Sequence, residues 1–313
     1  GASESSGEAI QSRTIHFSTT SAEGTEIVNV MRNFADMVNK ESGGKITVEI
    51  YPGSQLGSVN DTMQNCQLGV QEMAVVSAAG IADVGASAFK AFALPYVFRD
   101  EEHLMKVCQG SVGQEMLDSI ATSNTKLVGI GYWSEGTRNF ITKTPIRSLA
   151  DVKGMKLRCQ ALDVDTDMCV ALGASPTPLA FGELYSALQT GVVDGAENPL
   201  SGIYNNKFQE VCKYVTLDGH SCPPVIIVFS ESIWKNYSTE EQAIIRDCWN
   251  TASAHNLSYL LEAQAKYVKL LEEAGCEIIT LNDKEAWQAA MTPVYEKYGS
   301  DIQSTLDKIA AIK

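Results

Sequence analysis

The sequence predicts a two-lobed α/β fold, and three observations carry that prediction. At 313 residues the chain is longer than one hydrophobic core comfortably serves, so two lobes and a cleft between them are expected. Residues 13–80 read as strand, helix, strand, helix, strand, an order that argues for a mostly parallel, doubly wound sheet with a ligand crevice at the strand carboxyl ends. A second α/β series follows, after which the apolar run VIIVFSESIWKNY at 225–237 rejoins the first sheet. A chain that leaves one lobe and returns makes a hinge of several crossing strands, which favours rigid-body closure.

The elements follow in order. RTIHFSTTSA is a short strand ending in small polar residues, and the helix after it places Ile27, Val30, Met31, Phe34, Met37 and Val38 on one stripe before a Gly stop. KITVEIYP is a strand, SVNDTMQNCQLG a short helix closing on Gly69, and QEMAVVSAAG a strand. TKLVGIGYWSEGTRNFITKTPI reads as strand, turn, strand, and SLADVKGMKLRCQ as a capped short helix and a strand. DVDTDMCVALGA is a helix, SPTPL a connector, FGELYSALQTG a helix with Leu184, Ala187 and Leu188 inward, and VVDGAENP a strand running into a turn. Residues 238–275 form one long helical stretch that opens on a Ser238–Glu241 capping box. The expected lobes are 14–135 with 224–263 and 136–223 with 264–313, behind a polar, acidic leader at 1–13 that reads as disordered.

Charge and composition exclude several functions. The net charge of −14, with 24 scattered basic residues, disfavours nucleic acid and anionic membrane surfaces as partners. It also repels small anions at long range, so an anionic ligand needs local, desolvated Arg groups. No apolar run approaches a membrane span. The eight cysteines form no CxxC pair or His-bearing cluster, which argues against structural zinc; Cys212 and Cys222 are the preferred disulfide pair and the others read as isolated buried thiols. The four histidines are dispersed, and no GxSxG, HExxH, P-loop or GxGxxG is present, so neither metal nor cofactor is expected.

FGELYSALQTGVVDGAENP at 181–199 carries the acids Glu183, Asp194 and Glu197. An acid/base pair of Asp194 and Glu197 has no nucleophile beside it, and a turn Asp with a structural Glu is the favoured reading. Strand alternation in KLRCQ sends Leu157 and Cys159 to one face and Arg158 to the other. Arg158 there is either a carboxylate anchor or half of an internal ion pair. Arg138 is a crevice-wall or a surface arginine, and Asn198, held extended by Pro199, is a ligand donor or a turn residue.

Together YPGSQLG, FALPYVF, GTRNF, LADVKGMKLR and LGASPTPLAFGELYSALQTGVVDGAENP resemble the substrate-binding proteins of TRAP transporters, the DctP-like family of extracytoplasmic solute receptors. The resemblance runs from about residue 13 to near the C-terminus. It implies a periplasmic-binding-protein-like (Venus flytrap) fold with hinge strands and a long helix spanning both lobes, a monomer that captures a small organic acid by cleft closure, and TRAP permease subunits as membrane partners. In this family's pattern Arg158 salt-bridges the ligand carboxylate, Arg138 and Asn198 contact the same ligand, and Phe181 packs on it. Ser77 and Thr20 fall where other members place ligand-contacting side chains. Cys159 departs from the Val common after the Arg, which raises the question of a disulfide in the second lobe. The leader fits a cleaved secretory protein or a lipoprotein whose lipidated Cys lies outside this sequence.

KLRCQ, the 175–199 segment and LDGHSCPP bring the ligand closest to hexuronates such as glucuronate or galacturonate, with Gln160 as a hydroxyl partner. Sialic acid, dicarboxylates and aromatic acids are the alternatives. An enzyme, a lyase or hydrolase of a carboxylated sugar, is the rival from another class. A receptor that presents its ligand state to a membrane sensor is a third reading.

Overall fold

The structure, a computed structural model, describes residues 9–313. Positions 1–8 of the expected disordered leader lie outside the described residues, and regular structure begins at Arg13. The described strands are β1 (Arg13–Ser18), β2 (Ile46–Tyr51), β3 (Met73–Ser77), β4 (Leu127–Trp133), β5 (Arg138–Thr142), β6 (Lys156–Arg158), β7 (Ser175–Pro176), β8 (Gly195–Pro199), β9 (Tyr214–Ser221), β10 (Val225–Ser230) and β11 (Glu277–Ile279). They make two sheets in two compact units. One unit gathers the chain up to Phe89, Cys108–Ser134 and Pro223–Asn256; the other gathers Lys90–Val107, Glu135–Cys222 and Leu257–Lys313.

In the first unit the sheet order is β2-β1-β3-β10-β4. Strands β1, β2 and β3 pair in parallel as the βαβαβ pattern demands, whereas β10 runs antiparallel to both β3 and β4. The reason is connectivity. Strand β4 leaves the unit at Trp133, and β10 re-enters at Val225, the register partner of Trp133, so the returning strand must run the opposite way. The expected return of the apolar run to the first sheet is therefore met, in a mixed rather than a mostly parallel sheet.

Helix Glu26–Glu41 buries Ile27, Val28, Val30, Met31, Phe34 and Val38 on this sheet, while Met37 is half-buried. Phe17, Phe34 and Trp249 meet edge to face, with ring centroids 5.6 to 6.0 Å apart. That geometry suits the ring quadrupoles. Gly131 lets Trp249 in: a Cβ there would lie 2.3 Å from the indole Cδ1. Gly131→Ala is expected to destabilise the protein by about 1–3 kcal/mol through overpacking. A thermal melt coincident with that of the parent chain would show that the indole can move aside.

Helix Val59–Leu68 has a Ser58–Asp61 capping box and ends on left-handed Gly69, with φ of 74°. Helix Thr239–Ser253 carries the expected Ser238–Glu241 box, and the Glu241 carboxylate also receives the Arg13 guanidinium, which ties the start of β1 to this helix. The stretch 238–275 is two helices, Thr239–Ser253 and Asn256–Glu273, with a turn at Ala254 and His255. Ser253 Oγ donates to the Trp249 carbonyl at 2.8 Å, and such back-bonding favours a bend at this point.

In the second unit the order is β11-β9-β5-β8-β6-β7. Strand β5 runs antiparallel to β8 and β9, while β6 is parallel to β7 and β8 and β11 is parallel to β9. The strand-turn-strand at 125–146 is thus no hairpin, because β4 and β5 belong to different sheets. The segment Lys90–Val107 packs in this unit. Tyr295 donates to the Pro95 carbonyl at 2.7 Å, Tyr96 donates to Asp218 at 2.9 Å, and His103 Nε2 lies 3.0 Å from the Ile309 carbonyl oxygen. The core beside the site contains Ile141, Leu184, Leu188, Ala196, Leu200 and Phe208.

All eight cysteines are free and buried. The expected pairing of Cys212 with Cys222 is corrected, for these residues flank opposite ends of β9. Eight extended residues separate strand ends by roughly 25 Å, whereas a disulfide needs Cα atoms within about 7 Å. Cys159 is likewise a free thiol and lies against Cys169.

Candidate functional site

Parallel pairing aligns Arg158 with Ala196, and antiparallel pairing aligns Phe140 with Glu197. By the alternation of a pleated strand, Arg158 and Asn198 project from one face of the sheet and Glu197 from the other. The two faces carry different chemistry.

On the Glu197 face a chain of ions is buried. Arg138 grips Glu197 with two hydrogen bonds, of which Nη2 to Oε1 is 2.9 Å. Glu197 is 3.0 Å from His220 Nε2, and His220 Nδ1 is 2.7 Å from Asp218. Asp218 also accepts from the Tyr96 hydroxyl and from the Phe140 backbone N–H, and Phe140 stacks on the imidazole at 4.6 Å between centroids. Burial alone would raise the Glu197 carboxyl, but hydrogen bonds from His220 and Arg138 hold it at about 2. Burial also opposes charge on His220, but Asp218 and Glu197 lift its pKa to about 10. The imidazolium and the Glu197 carboxylate are therefore charged at neutral pH.

Gln160 joins this network. With its amide turned so that oxygen meets donors and nitrogen meets an acceptor, its oxygen accepts from Arg138 Nη1 and Nη2 at 2.8 and 3.0 Å and its nitrogen donates to Asp165 at 3.3 Å. Burial and the Glu197 charge push Asp165 up to about 6, against the pull of His220, Arg138 and Arg158. Asp194 does something simpler, accepting the Lys156 backbone N–H at 2.8 Å. The acids of 181–199 that this structure buries or bonds thus hold the backbone and an arginine in place.

Arg158 is in a different condition. It is only 6% exposed, yet among the described residues it has no salt bridge, and its Nε hydrogen-bonds the Leu179 carbonyl at 3.3 Å. Burial pushes its guanidinium below the ordinary value; Glu197 at longer range opposes this, and Arg138 adds to it. Phe181, 42% exposed, stands with its ring centroid 5.6 Å from Arg158 Cζ and edge-on to Phe208. Asn198 is half-buried over the close approach of Gly202, where a Cβ would meet its Oδ1 at 1.8 Å. A buried guanidinium without an anion, an exposed aromatic face and a nearby amide make a receptor surface for a carboxylate on an apolar-faced molecule.

The structure therefore brings Arg158 together with Phe181, and Arg138 with Gln160. Thr20 and Ser77 belong to the other unit. Thr20 is exposed beyond β1, and Ser77, at the end of β3, accepts from the Gly80 N–H at 3.0 Å as the cap of helix Ala78–Asp83. Sequence reasoning passed over His220, Asp218 and Asp165. The available signal was Asp-x-His in a strand, which puts both side chains on one face.

Two mixed sheets and an unpaired buried arginine define a solute-binding protein of α/β type. The chain belongs to the family described as bacterial extracellular solute-binding protein, family 7, whose model matches residues 17–301. It is 30% identical to the C4-dicarboxylate-binding periplasmic protein DctP of Rhodobacter capsulatus over 96% of this chain and 90% of that protein. Among solved structures it is similar to a TRAP periplasmic solute-binding protein of Ochrobactrum anthropi, with TM-score 0.91, 34% identity and coverage of 96% of this chain and 95% of that one. A relative from Pseudomonas putida F1 with bound D-glucuronate gives TM-score 0.81 and 34% identity over 96% and 98% of the two chains. One from Xanthobacter autotrophicus Py2 with bound β-D-galacturonate gives 0.79 and 31% over 96% and 100%. The chain is a TRAP-type solute-binding receptor and not an enzyme, and its family works outside the cytoplasm.

Proposed function

We propose that this receptor captures a hexuronate, glucuronate or galacturonate, by its carboxylate and delivers it to the membrane subunits of a TRAP permease. The observation that carries the reading is the Arg158 guanidinium, buried and without a carboxylate partner among the described residues. A ligand carboxylate supplies the missing anion through two parallel hydrogen bonds. In this reading the Asn198 amide donates to the same carboxylate or to a neighbouring hydroxyl. Phe181 packs on the apolar face of the sugar ring, and Gln160, held by Arg138 and Asp165, meets ring hydroxyls. Arg138 is already engaged by Glu197, so it acts mainly by placing Gln160 and by its charge. The uronates bound by two similar proteins support the choice among acids.

A thermal-shift screen of the ligand-free protein against uronates, sialic acid, C4-dicarboxylates and aromatic acids tests this. A ligand at 100 times its dissociation constant adds about 2.7 kcal/mol, which raises the melting point of a chain this size by several degrees. The expected result is a shift with uronates, and recovery of the ligand unchanged. A shift with dicarboxylates alone would reassign the ligand. Shifts confined to neutral or cationic compounds would remove the Arg158 anchor.

A further inference from the structure

We propose that Asp165 is a specificity residue that restricts this receptor to acids bearing a single carboxylate, because it sets a negative charge beside Gln160 against a second one. Asp165 lies in the first turn of helix Asp163–Ala171, the helix that follows β6. An acid in a first turn often does no more than answer the helix dipole. Asp163, exposed in the same turn, serves that purpose. Asp165 is half-buried instead, and its carboxylate accepts from the Gln160 amide at 3.3 Å. Among the described residues no cation lies within ion-pair distance of it.

Given the reading of Arg158 as carboxylate anchor, on which this rests, the cations near Asp165 are few and mostly taken. Arg138 is held by Glu197, and His220 lies between Glu197 and Asp218. Of these three cations Arg158 alone lacks a carboxylate partner among the described residues. The first carboxylate of a ligand uses it. A second carboxylate reaching toward Gln160 then meets Asp165 with no cation left to offset the repulsion, which is strong between like charges a few ångströms apart in a partly desolvated site. A hydroxyl at the same place meets no such penalty. It can accept from the second Gln160 amide hydrogen or donate to an Asp165 oxygen.

The charge on Asp165 can be removed without mutation. Burial and the Glu197 charge push its carboxyl up to about 6, against His220, Arg138 and Arg158, so it is ionised at pH 7.5 and mostly protonated at pH 5. Its neighbours hold their charge across that interval, with Glu197 at about 2 and His220 at about 10. Asp167, on the same helix, is tied to Lys297 and Tyr298 of helix Thr292–Gly299 and stays below its ordinary value. The thiols of Cys159 and Cys169, also near Asp165, are fully buried.

The test is calorimetry on the full chain with glucuronate and with glucarate, the sugar acid of the same carbon skeleton that carries a second carboxylate at C1. The quantity read is the ratio of the two affinities at pH 7.5. Asp165→Asn, nearly the same shape, should shift that ratio toward glucarate by about 10-fold or more. Asp165→Glu restores the charge and should restore the preference for glucuronate. The parent at pH 5 should shift as Asp165→Asn does, while Asp165→Asn itself keeps one ratio at both pH values. An equal ratio in parent and Asp165→Asn, or a ratio in the parent that ignores pH, overturns the role of Asp165 and leaves the uronate reading standing. A parent that takes another monocarboxylate and no uronate ends the uronate reading, and Asp165 is then judged on the same ratio with that acid against glucarate. A parent that prefers glucarate at pH 7.5 overturns both.

Discussion

Arg158→Ala is expected to weaken uronate binding by about 30-fold to several thousand-fold, from the ~2 to 5 kcal/mol that truncating one partner of a buried, hydrogen-bonded charge pair costs. The size of the effect follows from the setting of the guanidinium, which burial has stripped of water without giving it an internal anion. Arg158→Lys should recover little, because an ammonium lacks the planar fork that matches a carboxylate. Arg138→Ala differs in kind. It leaves Glu197 buried with only His220 beside it, so its main expected effect is on stability. Isothermal calorimetry on both variants separates the two arginines, and unchanged affinity in Arg158→Ala would end the anchor assignment.

The second large effect is expected at His220. His220→Gln should destabilise the second unit by about 3–5 kcal/mol at neutral pH, since it strands Asp218 and Glu197 without their shared cation. The sign of the pH dependence follows from the shifts. His220 is raised to about 10, so its stabilisation is complete below its unfolded value of about 6.5 and is lost as pH rises through 10. Glu197 is depressed to about 2, so its stabilisation is complete above about 4.5 and is lost as pH falls through 2. Asp165, raised to about 6, adds a decline between about pH 4 and 6, below the window of His220. Urea titrations from pH 6.5 to 10 should show the parent losing stability while His220→Gln changes much less. Parallel curves for the two proteins would mean that His220 is not charged in the fold.

Much of the architecture was legible because it is local. The stripe from Ile27 to Val38 buries as its period requires, and Ser238 and Glu241 form their capping box, since caps and stripes depend on residues three or four apart. Strand β6 also appears where alternation put it, with Leu157 and Arg158 on opposite faces. What was misread depends on partners distant in sequence. Cys212 and Cys222 look like a pair because ten residues seem close, until the intervening residues prove to be an extended strand.

The sequence by itself determined the α/β class, the order of elements and, through its motifs, the family. Only the tertiary structure decided which arginine is unpaired. Arg138 and Arg158 are both arginines at the ends of short strands, and nothing in their neighbours along the chain distinguishes them. Pairing of β5 with β8 brings Glu197 to Arg138, and pairing of β5 with β9 brings in His220 against Glu197, whereas β6 pairs with β8 so that Arg158 faces Phe181 and the Leu179 carbonyl instead of an acid. Electrostatic partnership is a matter of a few ångströms through space, and sheet register sets that distance.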